Sequence, residues 1–165
     1  RELGPMLVGY ATTVVDYKGR ANALTRDFQL AQFDPATEKL TMRNILVGDR
    51  KLGKEDAALG PITWIGTPDG KTAYLIRMQE PTLFRIDLTT SGDTVAAADL
   101  GQMITGKGYD SRGALAFGPD GRIYALVRVN NETSFGTGYL HHLVRYDPRK
   151  RKLDDVGVQQ CYEFK

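Results

Sequence analysis

The sequence predicts an all-β chain, and three observations carry that prediction. Three tight turns, Asp16-Tyr17-Lys18-Gly19, Thr67-Pro68-Asp69-Gly70 and Gly118-Pro119-Asp120-Gly121, end in glycines 51 residues apart. Each turn separates two apolar runs of strand length. No convincing helical pattern of apolar residues lies between them. The turn chemistry has a mechanism: Pro presets φ, Asp bonds its own backbone, and Gly takes positive φ at little cost.

The strands follow in order. Before the turns stand Ala11–Val15, Ile62–Gly66 and Gly113–Phe117, and after them Ala21–Arg26, Thr72–Arg77 and Ile123–Arg128. This is a hairpin pattern, met three times. A third strand comes next in each unit, at Gln29–Phe33, Leu83–Ile86 and Leu143–Tyr146, ending on Asp34, Asp87 and Asp147. Two of these aspartates precede proline, which favours a tight turn into a fourth strand. The fourth strands are Leu40–Val47, Thr94–Leu100 and Leu153–Val156, each followed by glycine.

Three units of about 50 residues with four antiparallel strands each match the period of β-propeller blades. The expected blades are 5–48, 60–101 and 112–157, within one partial domain over 1–165. The second strands support this, being apolar or small in mid-strand on both faces, as a sheet packed between two neighbours requires. The segments TPDGKTAYL (67–75), GPDGRIYAL (118–126) and LVRYDPRKRKLDDVG (143–157) resemble the broad group of YVTN-type, NHL-type and gluconolactonase-like propellers. The likeness covers almost the whole chain and rests on turns and strand pairing.

Propellers close with roughly four to eight blades. Three would leave two apolar faces bare, so the expected partners are further blades from the same longer polypeptide, a second copy or another chain. Residues Gln159–Lys165 are expected to begin a following inner strand. The resemblance implies a periplasmic or secreted location.

Composition narrows the function classes. Apolar residues make up 41% and charged residues 25% of the 165, as in soluble globular proteins. A net charge of +2 with interspersed charges points away from nucleic acid. No apolar run approaches the roughly 20 residues of a membrane span. Cys161 is the only cysteine, so the chain has no internal disulfide and no cysteine-based metal site. Asn131-Glu132-Thr133 fits a glycosylation triplet, a pattern common by chance.

Function is expected on the rim that carries the long connections 48–60, 101–112 and 129–140, because binding residues gather on ordered loops of a rigid scaffold. Arg26, Arg77 and Arg128 end the three second strands on that rim. They either line an anion-binding mouth, where the guanidinium fork suits carboxylate or phosphate, or serve as architectural ties repeated in each unit. Arg20, Lys71 and Arg122, at the strand starts, are expected to pair with Asp34, Asp87 and Asp147.

Residues outside the repeat add candidates. Tyr109, Asp110 and Arg112 precede the innermost strand of the last unit, and Tyr139 and Phe135 offer a stacking surface. His141 and His142, the only histidines, are adjacent on a strand and point to opposite faces, so they do not share one metal. The expected function is a ligand- or partner-binding scaffold using the long-loop rim, with the arginines suggesting an anionic ligand. The alternative implied by the resemblance is a gluconolactonase-like hydrolase or a polysaccharide lyase. It would place His141 or His142, Tyr109 and Arg112 at a catalytic site, with a divalent metal as its cofactor. No metal-ligand set is assigned from the sequence.

Overall fold

The computed structural model describes residues 13–25, 27–57, 62–104, 110–131 and 138–163. Its elements run β1 (Val14–Val15), β2 (Ala21–Leu24), β3 (Gln29–Asp34), β4 (Lys39–Val47), β5 (Arg50–Lys51), α1 (Lys54–Ala57), β6 (Ile62–Gly66) and β7 (Thr72–Arg77). They continue as β8 (Thr82–Asp87), β9 (Thr94–Gln102), β10 (Asp110–Phe117), β11 (Ile123–Asn130), β12 (Gly138–Asp147) and β13 (Lys152–Glu163). The all-β class holds, with one helical turn among the described residues, in the first long connection. Each of the three glycine-ended turns closes on itself. Gly19, Gly70 and Gly121 donate their amides to the carbonyls of Asp16, Thr67 and Gly118 at 2.8, 2.8 and 3.0 Å.

The topology corrects the expected blades. Strands β4 and β9 pair in parallel, Asn44 opposite Thr94 through Val47 opposite Ala97. One sheet therefore runs β1-β2-β3-β4-β9-β8-β7-β6, with β5 added on β4. Separate blades would keep their fourth strands apart and stack face to face. Here those strands are hydrogen-bonded neighbours, and the likeness to the YVTN, NHL and gluconolactonase-like propellers does not hold. The equal spacing of the turns therefore does not mark a repeated packing unit.

The sheet curls until its edges nearly meet, in the manner of a barrel. Tyr17 donates its amide to the carbonyl of Gly70 at 2.9 Å. Glycine is required there, since a Cβ on Gly70 would stand 2.5 Å from the Tyr17 nitrogen and the residue holds φ +66°. A Cβ on Gly66 would meet the Val14 side chain instead, with Cγ1 at 2.5 Å. The interior is filled by Val14, Leu24, Phe28, Leu30, Ile45, Leu52, Trp64, Leu75, Phe84, Ile86, Leu88 and Val95.

Strands β10-β11-β12-β13 form a second, antiparallel sheet. A second core joins Tyr74, Ile76 and Leu83 of the first sheet to Ile123, Ala125, Val127, Val144 and Tyr146 of the second. This explains the pattern of β7, where Ala73 and Leu75 fill the curled sheet while Tyr74 and Ile76 face the other core. Strand β11 differs from the two-faced expectation. Ile123, Ala125, Val127 and Val129 are buried, and the residues between them are half-exposed, so it covers a core on one face only. The expected new strand after Gln159 is also corrected: β13 continues unbroken through Gly157 to Glu163, paired with β12 back to Gly138.

Candidate functional site

At the end of the molecule opposite the tight turns, the β10–β11 register sets Asp110 directly across from Arg128. The β11–β12 register sets Arg128 across from His141, and Asn130 across from Tyr139. Arg128 and Tyr139 are therefore diagonal neighbours, within reach of long and aromatic side chains. The Arg128 guanidinium lies 4.0 Å from the Tyr139 ring centre and is ion-paired with Asp110. Both charged side chains are largely buried. Among the described residues, Asp110 is the one hydrogen-bonding partner of Arg128, whose guanidinium has five N–H donors. Three residues nominated separately from the sequence thus form one cluster.

Arg77 stands beside it, tied into the fold. Its Nη2 donates to Thr82 Oγ1 at 2.9 Å, Asp56 and Glu80 lie 3.8 and 3.6 Å away, and its guanidinium sits 5.4 Å from the Phe84 ring. Asp56 is positioned by α1, where it also takes two hydrogen bonds from Arg50 and one from the Gly53 amide. The rim of the first sheet is joined to the second by Ser111, whose Oγ donates to the Arg77 carbonyl at 2.8 Å. Gln79 and Asp110 form a backbone bridge at the same place.

His141 lies next to the cluster by register, whereas His142 turns to β13 and pairs its Nδ1 with Asp155 at 2.8 Å. Among the described residues no group of three or more His, Cys, Asp or Glu is close enough to hold a metal. Arg26, Tyr109 and Phe135 lie outside the described residues. Arg112 is on β10, but its side chain is outside them too.

A scan against protein-family models and a search of the curated proteins return no match for this chain. The hydrolase and lyase reading rested on the propeller likeness, and it has no support from that side. No helix among the described residues is long and apolar enough to cross a membrane.

The strand-start basic residues behave differently from one another. Arg122 bonds Asp147 at 3.1 Å as expected, and also Asp120 at 2.8 Å. Arg20 instead pairs with Asp16 at 2.9 Å, inside its own turn. Lys71 is not ion-paired with Asp87; that carboxylate is taken by the Thr89 amide and hydroxyl. The Asp16 exchange exposes a polar network that sequence reasoning missed. Buried Asp16 also accepts from Gln32, which bonds buried Asn22 at 2.8 Å. These polar residues, with Arg43, sit at the tight-turn end of the curled sheet. The available signal was a lone arginine in the middle of an otherwise amphipathic strand, β4.

Proposed function

We propose that this chain is a binding module whose rim recognises a carboxylate or phosphate group on a ligand or partner, with Arg128 as the principal contact. The observation that supports it is the held but under-used guanidinium of Arg128. Tyr139 fixes its plane and Asp110 fixes its rotation, so the ordering cost of binding is already met. Asp110 is bonded to Nη2 and Nε is buried, so Nη1 is the group left for a second acceptor, and a planar guanidinium suits an anion. Arg77, at the same rim, is held by Asp56, Glu80 and Thr82 and is the less available of the two arginines.

The test is a titration of inorganic phosphate and of succinate into the wild-type chain and into Arg128→Ala and Arg128→Lys. Loss in the alanine variant with partial retention in the lysine variant supports the reading. Equal binding by all three proteins overturns it.

A further inference from the structure

We infer that the tight-turn mouth of the curled sheet is a second binding site, one that takes a small molecule bearing a phosphate or carboxylate group against Arg43. It is independent of the rim and lies at the opposite end of the sheet. Strand β4 points Arg43 to the same side as Ile45, toward the interior, and the residue is 2% exposed. Its Nε donates to the Gly92 carbonyl at 2.8 Å, and its Nη2 donates to the carbonyls of Thr90 and Thr94 at 2.7 and 2.6 Å. These bonds satisfy donors without cancelling the charge. Among the described residues, Arg43 has no ion-paired carboxylate and its Nη1 has no hydrogen-bond partner.

A desolvated cation with no direct ion pair is costly, and such charges are ordinarily paired. Burial, and after it the charge on Arg20, holds the Arg43 guanidinium below its ordinary value, with Asp16 and Asp93 offsetting part of that effect. The space in front of it is a cleft of about 290 Å³, walled by Lys18, Arg20, Gln32, Thr41 and Ser91 among others. Asp93 is the one acidic side chain on that wall, against three basic ones. The cleft has the volume for a small organic anion. It also has the donors such a ligand needs: Arg43 Nη1, the Lys18 ammonium, and the hydroxyls of Thr41 and Ser91.

The experiment is a titration of inorganic phosphate, and separately of succinate, into the full chain, following the backbone amides of Lys18, Ser91, Gly92 and Asp93. The expected result is saturable shifts at these amides. The exposed substitutions Lys18→Glu and Ser91→Asp should each weaken the binding about tenfold, the loss of one charge-assisted contact. Arg128→Ala should leave it unchanged. Binding of phosphate but not succinate assigns the site to phosphate groups, and the reverse assigns it to carboxylates. Absence of saturable shifts at these four amides overturns the inference, as does wild-type affinity retained in both variants. Shifts confined to Asp110, Arg128 and Tyr139 also overturn it while leaving the rim proposal standing.

Discussion

The Tyr17 amide donates to the Gly70 carbonyl at 2.9 Å, and this bond joins the two edges of the curled sheet. It depends on a backbone approach that no side chain at position 70 would permit. The curled sheet is what gathers the first core and opens a mouth at the tight-turn end.

That relationship separates two glycines that look alike in sequence. Gly70 and Gly121 both hold positive φ, +66° and +75°. A Cβ on Gly121 meets nothing within 4 Å, whereas one on Gly70 overlaps the backbone of Asp16 and Tyr17. Gly121→Ala should cost about 1 kcal/mol, the strain of a non-glycine residue in this region. Gly70→Ala should cost at least about 2 kcal/mol more, since overlap forces the sheet edge to move. Urea denaturation of the two variants gives the comparison.

Trp64 stands directly across from Leu75 in the β6–β7 register, and both are almost fully buried. Leu75→Ala should destabilise by about 2–5 kcal/mol through lost burial and the cavity left behind. The fluorescence of Trp64 reports it directly, as an earlier unfolding midpoint and a red-shifted native emission.

The turn at Asp120 sets a pH dependence. The Arg122 amide, the Tyr124 hydroxyl and the Arg122 guanidinium hold its carboxyl down at about 2, below the ordinary 3.8. The folded value is depressed, so the unfolded chain binds more protons between those limits and stability rises with pH there. The contribution is complete above 3.8 and lost as pH falls through about 2. Asp120→Asn should therefore flatten the acid limb of a stability–pH curve and leave the slope near neutrality unchanged.

Much of the local structure was legible in the sequence, because strands and tight turns are set by neighbouring residues. The apolar runs and the Pro-Asp-Gly turns marked β7 to the residue and β8 and β11 to within two, whereas β12 begins at Gly138, five residues before the expected Leu143. The joining of β4 to β9 was not legible. That pairing links residues 44 and 94, and nothing in either strand's own pattern selects its partner. The evenly spaced turns then suggested separate units where a continuous sheet exists. At the rim, Asp110, Arg128 and Tyr139 were each marked by position, but their contact depends on the β11–β12 register, fixed by a hairpin whose tip lies outside the described residues. Arg43 escaped notice because attention to long loops favours the opposite end, and its setting depends on the loop Thr90–Thr94 folding over β4.

Asp56 offers a test of how the rim is held. It compensates Arg77, whose side chain is 12% exposed, and anchors α1 through the Gly53 amide. Asp56→Ala should destabilise by about 1–3 kcal/mol, the cost of removing the buried carboxylate that accepts from Arg50 and the Gly53 amide and faces the Arg77 guanidinium. Amide exchange at Arg50–Gly53 should rise with it. An unchanged exchange rate would show that the helical turn is held by other contacts.

Arg128, oriented by Tyr139 and Asp110, is the proposed anion contact of the rim. The most direct measurement is the affinity of wild-type and Arg128→Ala chains for phosphate and succinate, read at the amides of Asp110, Arg128 and His141. The account predicts saturable shifts at these positions in the wild type and none at Asp110 and His141 in the variant. Undiminished shifts there in Arg128→Ala, or no shifts in the wild type, would contradict it.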